Sequence, residues 1–190
     1  FTGLGIAPNL LDVLHKLKFV RPTPIQTKAI PLGITGQDLV GIAQTGTGKT
    51  LAFSIPMLQR LASVGGKGLV LLPTRELALQ VEEVMRKLGN RFGLRTAILI
   101  GGASMQMQVQ ALHRNPHVII ATPGRLIDHL QQRTTHLNNV KILVLDEADR
   151  MLDMGFAPQI SKILAAVPVD RQTMLFSATM PQEIVALAKE

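Results

Sequence analysis

The sequence predicts an α/β fold in which helices cover both faces of a mostly parallel central sheet. The first observation is a series of short apolar runs, many ending in polar or glycine-containing turns. These runs are Leu39–Ala43, Gly68–Leu72, Thr96–Ile100, Val118–Ala121, Ile142–Leu145 and Met174–Phe176. Most of them are continuous rather than alternating, which is typical of strands buried on both faces. The second observation is that helical patterns lie between the runs, and this alternation favours a parallel sheet.

The helical patterns can be assigned in chain order. Pro8 suits the first position of a helix that carries the apolar residues Leu10, Leu11, Leu14 and Leu17. The later patterns begin near Lys49, cover Leu77–Leu88, follow Thr122–Arg125 toward Leu130, cover Phe156–Val167 and close the sequence over Pro181–Glu190. Because sites in such sheets lie at the carboxyl ends of strands, the segments that follow each apolar run are the candidate functional segments.

Length and composition predict one domain over residues 1–190. The chain has 190 residues and no cysteine, which excludes a disulfide framework, a cysteine-based zinc site and a thiol nucleophile. No apolar run approaches the ~18 residues that span a membrane, and Phe1–Pro8 lacks the features of a signal peptide. We therefore expect a cytoplasmic protein without membrane contact.

The charge balance indicates a polyanionic partner. Twenty basic residues stand against thirteen acidic ones, for a formal net charge of +7, which fits nucleic acid or nucleotide but also an ordinary basic surface. Six Phe, no Trp and no Tyr are few aromatics for stacking successive bases. A bound nucleic acid should therefore be held by its backbone, with little sequence specificity. The five histidines show no metal-ligand spacing, which favours surface or packing roles.

A glycine-rich segment follows the first apolar run and reads Ala43-Gln44-Thr45-Gly46-Thr47-Gly48-Lys49-Thr50. The general phosphate-binding pattern is G-x-x-x-x-G-K-[ST], and Ala43 replaces its first glycine. Gly46 and Gly48 allow backbone amides to face phosphates, and the following helix adds its N-terminal dipole. Lys49 can reach the β- and γ-phosphates, and Thr50 can bind Mg²⁺. The segment predicts a nucleoside triphosphate site.

An acidic cluster directly follows the apolar run Ile142–Leu145 and reads Asp146-Glu147-Ala148-Asp149. Like charges at the end of a buried strand repel one another, and a bound cation relieves the repulsion. Asp146 suits Mg²⁺, with a water in between, because this ion keeps much of its hydration shell. Glu147 could then orient and activate the attacking water.

These residues spell D-E-A-D, and from Phe1 to Glu190 the chain resembles the DEAD-box RNA helicases. The matching elements are the upstream aromatic Phe1, the Q motif Lys18–Gln26, motif I Ala43–Thr50, motif Ia Pro73–Ala78, the GG pair Gly101-Gly102, motif Ib Thr122–Arg125, the D-E-A-D motif Asp146–Asp149 and motif III Ser177–Thr179. The sequence departs from the family pattern at Lys18, where glycine is usual, and retains Phe19 and Gln26. The resemblance implies a RecA-like P-loop NTPase domain, specifically the first motor domain of an RNA helicase that binds and hydrolyses ATP with Mg²⁺.

The resemblance also implies roles for individual residues. Gln26 would hydrogen-bond the adenine edge while Phe19 packs on the ring, whereas Gln26 read alone would be a polar residue in a proline-rich turn. Lys49, Asp146 and Glu147 would be catalytic. The RNA strand would contact Pro73, Thr74, Arg75, Gly101, Gly102, Thr122, Pro123, Gly124 and Arg125. Asp149, Ser177, Ala178 and Thr179 would couple the ATP site to bound RNA, because the strand before motif III lies between those that carry motifs I and II.

The family's second RecA-like domain, with its arginine finger, lies outside residues 1–190. We therefore expect these residues, as a monomer, to bind nucleotide weakly, hydrolyse little ATP and unwind no RNA. Two alternatives stay open: a DNA-directed helicase of the same superfamily, and a nucleotide-gated RNA clamp or scaffold.

Overall fold

Six parallel strands form the centre of the molecule. The computed structural model describes residues 1–44 and 48–188. Its strands are Leu39–Ile42 (β1), Lys67–Leu71 (β2), Thr96–Leu99 (β3), Val118–Ala121 (β4), Val140–Leu145 (β5) and Gln172–Ser177 (β6). All six predicted runs are confirmed, and β5 and β6 begin two residues earlier than expected because Lys141, Gln172 and Thr173 are polar residues within strands.

Helices fill the connections between the strands. Within the described residues they are Pro8–Lys16 (α1), Pro24–Ile34 (α2), Lys49–Val64 (α3), Arg75–Gly89 (α4), Met105–His113 (α5), Pro123–Gln131 (α6), Ala148–Asp153 (α7), Ala157–Ala166 (α8) and Gln182–Ala188 (α9), with a short 3₁₀ turn over Asn90–Phe92. Pro8 occupies the first turn of α1, as predicted. The sequence patterns did not predict α2, since Pro24, Pro31 and Gly33 all disfavour a helix interior; Pro24 opens this helix instead.

The sheet order is β1-β6-β5-β2-β4-β3, and every pair of neighbours is parallel. The pairing is in register at the carboxyl ends: Ile42 lies opposite Ser177, and Leu71 lies opposite both Leu145 and Ala121. Leu99 also lies opposite Ala121. All six strands therefore deliver the residues that follow them to one edge of the sheet.

Two hydrophobic cores lie on the two faces of the sheet. Alternate residues of β5 point in opposite directions, so Val144 joins the core under α1 to α4, while Leu143 and Leu145 join the core under α6 to α9. In the first core the rings of Phe53 and Phe176 pack at a centroid distance of 5.6 Å. The predicted arrangement of helices on both faces is thereby confirmed.

The turn that ends α1 explains the departure at Lys18. Lys18 has φ 67, in the left-handed region, where a side chain costs about 1–2 kcal/mol and glycine does not. The Lys18 amide bonds the His15 carbonyl, and the Phe19 amide bonds the Leu14 carbonyl, each at 3.0 Å. This is the hydrogen-bond pattern that ends a helix on a left-handed residue, and glycine suits it best. Lys18 adopts the conformation that glycine favours, so Phe19 keeps its position.

Lys18→Gly should therefore increase the free energy of unfolding by about 1 kcal/mol, since relief of backbone strain exceeds the added entropy of the unfolded chain. Urea unfolding followed by circular dichroism measures the change. Lys18→Ala is the control, because alanine keeps the strain and should leave the stability almost unchanged. A destabilised glycine variant would contradict this explanation.

Candidate functional site

The predicted site residues lie at the edge of the sheet where the strands end, in two adjacent halves. The half formed by β1, β6 and β5 carries motif I, motif III and the acidic cluster. The half formed by β2, β4 and β3 carries motif Ia, motif Ib and the GG pair. The pairing of β5 with β2 joins the two halves.

The glycine-rich segment begins beside motif III and ends at the start of α3. The Ala43 amide donates to the Ser177 carbonyl at 3.0 Å, which ties the end of β1 to the end of β6. Gly48 precedes α3 with φ 83. Gln44 is exposed and Thr50 is half-buried, while Thr45, Gly46 and Thr47 lie outside the described residues. The 16-residue helix α3 points its N-terminus at this edge, which favours an anion there.

A buried ion pair connects the glycine-rich segment to the acidic cluster. Lys49 Nζ lies 3.2 Å from Asp146 Oδ1 and 3.9 Å from Glu147 Oε2. Lys49, Asp146 and Glu147 are 6%, 3% and 9% exposed. Burial raises the pKa of Asp146 above its usual range, and the Lys49 ammonium opposes part of that increase. The Lys49 ammonium therefore favours the ionised form of this carboxylate.

The donor atoms at this edge fit Mg²⁺. Asp146 and Thr50 offer a carboxylate and a hydroxyl oxygen, the ligand type this ion prefers. In the described part of the chain, no group of three or more His, Cys, Asp or Glu residues could hold a metal. A site with few protein ligands suits an ion bound through water and phosphate oxygens rather than in a protein cage.

Glu147 has a strained backbone, with φ 52. In the described residues, the other non-glycine positions with positive φ are Lys18, Asn115 and Arg133, and each of them directly follows the end of a helix. Glu147 instead is the N-cap residue of α7, two residues after the end of β5, and its side chain makes no capping bond within the described residues. Helix capping does not account for its conformation, and strain of this kind concentrates at functional sites.

Gln26 connects the Q motif to the glycine-rich segment. It lies in the first turn of α2 and is 3% exposed. Its Nε2 donates to the Gly48 carbonyl at 3.0 Å, and its Oε1 accepts from the Thr23 amide at 2.9 Å. Gln26 is thus part of a helix rather than a turn. The contact between α2 and α3 is close, since a Cβ at Gly33 would lie 2.7 Å from Pro56.

Phe19 belongs to the same Q motif as Gln26 but lines a different depression. Its ring is 37% exposed, and with Phe1, His15 and Val20 it lines a surface cavity of about 370 Å³. Gln26 does not line this cavity. The structure therefore places Phe1 and Phe19, the two aromatic residues of the predicted motifs, in one cavity, whereas Gln26 contacts Gly48.

Motif III contacts the last residue of the acidic cluster, in keeping with the predicted strand order. Thr179 Oγ1 donates to Asp149 Oδ2 at 3.1 Å, and Ser177 Oγ donates to the Thr179 carbonyl at 2.7 Å. Burial alone would raise the pKa of Asp149, but hydrogen bonds from Thr179, the Arg150 amide and the Ala178 amide help to lower it below the ordinary value. The carboxylate is thus held ionised against the loop after β6.

Motifs Ia, GG and Ib converge on one cluster. A Cβ at Gly102 would lie 2.7 Å from Arg75 Nη1, so the guanidinium packs on this glycine. Arg125 Nη1 donates to the Ala103 carbonyl at 3.4 Å, and its Nε lies 3.7 Å from Asp128 Oδ2. Two guanidinium groups therefore flank the GG turn.

The remaining residues of these motifs shape that cluster. Thr74 caps α4 by accepting from the Leu77 amide, and Thr122 precedes α6. Pro73 and Pro123 are buried, so their side chains pack within the loops rather than facing solvent. A Cβ at Gly101 or Gly124 would meet no atom within 4 Å among the described residues. This leaves room for a backbone from outside.

Sequence reasoning missed two buried polar features. Thr23 Oγ1 is buried, and a Cβ at Gly48 would lie 2.8 Å from it. His129 and Gln108 form a hydrogen-bonded pair inside the core. No motif contains either of that pair, and the only sequence signal was a polar residue at an apolar helix position.

Known proteins resemble this chain along its length. A sequence profile described as DEAD/DEAH box helicase matches residues 23–187. A protein named ATP-dependent rRNA helicase RRP3 from Debaryomyces hansenii is 50% identical over 192 residues, covering 100% of this chain and 40% of that protein. DEAD-box ATP-dependent RNA helicase 30 from Arabidopsis thaliana is 48% identical over 197 residues, covering 100% of this chain and 33% of that protein. The chain thus spans well under half the length of these relatives.

Solved structures have the same fold. A DEAD box protein from the hyperthermophile Methanococcus jannaschii superposes with a TM-score of 0.94 at 42% identity, over 100% of this chain and 53% of that one. A hypothetical ATP-dependent RNA helicase from Sulfolobus tokodaii superposes with a TM-score of 0.89 at 38% identity. The match covers 95% of this chain and 53% of that one. The predicted RecA-like fold is confirmed.

Lys49→Met should raise the pKa of Asp146 further, because the burial that raises it stays while the opposing ammonium is lost. The folded state would then bind this proton more tightly than the unfolded chain. Protonated Asp146 would therefore add to the free energy of unfolding at low pH. This contribution would be lost as the pH rises through the pKa of Asp146 in the folded state. Carbon-13 NMR titration of the Asp146 carboxyl measures the pKa.

Arg150→Met is the matched control, because Arg150 lies 3.9 Å from Glu147 and makes no contact that shifts Asp146. Its Asp146 titration should match that of the unchanged protein. An unchanged or lower pKa in Lys49→Met would show that the ion pair does not control this carboxyl.

Proposed function

Because this chain belongs to the DEAD/DEAH box helicase family, we propose that it is the ATP-binding first motor domain of an ATP-dependent RNA helicase. In that role it couples ATP binding and hydrolysis to local RNA unwinding or to remodelling of RNA–protein complexes. One observation carries the proposal: the buried Lys49–Asp146 pair and the Arg75–Arg125 cluster lie on adjacent halves of one sheet edge. A nucleotide and a nucleic acid can therefore be bound side by side.

The nucleotide half has the groups that phosphoryl transfer needs. Residues 43–50 bind the phosphates, Lys49 contacts the β- and γ-phosphates, and Thr50 and Asp146 hold Mg²⁺, Asp146 through water. The ion, when bound, neutralises charge that develops on the phosphate oxygens. Glu147 orients and activates the attacking water. Its strained backbone between β5 and α7 supports this role.

Gln26 provides the preference for adenine. A glutamine amide has two N–H donors and two acceptor lone pairs. The Gly48 carbonyl and the Thr23 amide use one of each, so one donor and one lone pair of Gln26 can serve the adenine edge. Phe19 lines the separate depression described above, and its packing on the adenine ring is part of the proposal. Because Gln26 also bonds the Gly48 carbonyl, binding of the base would influence the position of the phosphate-binding segment.

The half formed by β2, β4 and β3 binds RNA by contacting the sugar–phosphate backbone of the RNA. Arg75 and Arg125 provide positive charge, and Gly101, Gly102 and Gly124 allow phosphates to approach closely. Such contacts have little sequence specificity. The bond from Thr179 to Asp149 joins motif III to the acidic cluster within the nucleotide half, and motif III is the proposed route by which bound RNA is coupled to the nucleotide.

The second RecA-like domain is the proposed partner in the same protein. Its arginine finger would contribute about 10³–10⁵ in turnover, so residues 1–190 alone should hydrolyse little ATP. The cytoplasm stays the proposed compartment. Among the described residues, no helix is both long and apolar enough to cross a membrane.

Glu147→Gln should lower RNA-dependent ATP hydrolysis roughly 10²–10⁴-fold, the usual contribution of a general base. The assay measures phosphate release by a protein that carries this chain and a second RecA-like domain. Asp153→Asn removes an exposed carboxylate from the same helix α7 and is the control. Unchanged turnover in Glu147→Gln would contradict its role and favour an RNA clamp with incidental ATPase activity.

Arg75→Met should weaken binding of single-stranded RNA. It should also reduce the slope of log K against log salt concentration by about 0.7 in magnitude, the effect of one lost phosphate contact. Fluorescence anisotropy over a salt series measures both quantities. Arg86→Met removes the same charge from the same helix α4, about 16 Å further along its axis, and should change neither. An equal effect of both variants would mean that only net charge matters, and a matched DNA strand tests the preference for RNA.

A further inference from the structure

A chain of buried hydrogen bonds links α6 to the residue before the GG pair. His129 on α6 is 0% exposed and Gln108 on α5 is 5% exposed. His129 Nε2 lies 2.7 Å from Gln108 Oε1, and Gln108 Nε2 donates to the Ile100 carbonyl at 2.8 Å. On the other side of the ring, Nδ1 lies 2.7 Å from Thr134 Oγ1. Ile100 directly precedes Gly101-Gly102.

The direction of each bond follows from the donors available. Since Gln108 Nε2 donates to Ile100, its Oε1 faces His129 and can only accept, so His129 Nε2 carries the proton. Burial, and then the nearby Arg125, lower the pKa of His129, which keeps the ring neutral, and the charge of Asp128 opposes this only in part. The Thr134 hydroxyl lies 2.7 Å from Nδ1 and 3.0 Å from the His129 carbonyl, so its single proton is shared between these two acceptors. The inner part of this chain, from His129 Nε2 through Gln108 to the Ile100 carbonyl, therefore has one defined arrangement.

The same helix holds the other side of the GG pair. Arg125, four residues before His129, donates to the Ala103 carbonyl. The residues before and after Gly101-Gly102 are therefore both bonded, directly or through Gln108, to α6. Gly102 has φ 76 and packs against Arg75, so a shift of this turn would also move the guanidinium.

We propose that His129 and Gln108 are positioning residues of the RNA-binding edge, which hold the GG pair against α6 so that Gly102, Arg75 and Arg125 face one RNA strand. The inference rests on the proposed RNA-binding function. An apolar pair would fill this part of the core without any cost of burying polar groups. A buried polar chain with every group satisfied instead selects a single arrangement of the elements that it joins.

The test compares His129→Leu with His129→Gln in the 190-residue chain. Leucine removes both bonds, whereas glutamine keeps an N–H that can reach Gln108. His129→Leu should weaken binding of a short oligouridylate roughly 3- to 30-fold, the range of effects transmitted through packed networks. His129→Gln should restore most of the affinity. NMR titration measures RNA affinity, and hydrogen exchange measures protection of the amides of residues 101–104.

Three further measurements separate positioning from a purely structural role. ATP affinity should stay unchanged in His129→Leu, because the nucleotide half does not contact the network. Gln108→Met, which conserves volume, should reproduce the loss of RNA affinity if His129→Leu fails to fold. Thr134→Val removes the contacts of the Thr134 hydroxyl with Nδ1 and with the His129 carbonyl but keeps the bond to Gln108, and it should have a smaller effect.

Two results would overturn the proposal or its premise. A lower melting temperature with unchanged RNA affinity and unchanged exchange at residues 101–104 would mean that the network only stabilises the core. Faster exchange there, together with RNA affinity that neither His129→Leu nor Arg75→Met alters, would instead contradict the RNA-binding edge itself.

Discussion

The parallel, in-register pairing of the strands is the constraint on which the candidate site depends. Ile42 lies opposite Ser177, and Leu71 lies opposite Leu145 and Ala121, so segments distant in sequence end at one level. A strand rises about 3.3 Å per residue, and a slip of one residue would separate Lys49 from Asp146 by more than an ion pair tolerates. The buried apolar faces prevent such a slip, because it would turn each side chain toward the wrong face.

The groups at this edge work against stability. Lys49, Asp146 and Glu147 bury three charges, and the cost of removing charges from water can exceed what their mutual attraction returns. Glu147 adds backbone strain. The two hydrophobic cores offset these costs, which is why the cluster can persist at the end of β5. An arrangement that costs stability and concentrates charge is typical of sites kept for binding or catalysis.

The strands were predictable because their signal is local: continuous apolar runs followed by turns. The helices α1, α4 and α8 were predictable from apolar spacing for the same reason. The helix α2 was not, because Pro24, Pro31 and Gly33 oppose it locally and its contact with α3 outweighs that preference. The position of Ser177 near Asp149 followed from the expected strand order and agrees with the contacts of motif III. The burial of Pro73 and Pro123 could not be read from their motifs.

By itself, the sequence determined the order of the six strands and of the helices other than α2, α5 and α7, the segments that follow the strands and the chemical groups that these segments carry. Composition and spacing suffice for this, since each depends on neighbours along the chain. Only the tertiary structure decided that Gln26 bonds Gly48, that Lys49 bonds Asp146, and that His129 reaches Ile100 through Gln108. These contacts join residues brought together by strand register and helix packing, and no local pattern encodes which distant atoms will meet.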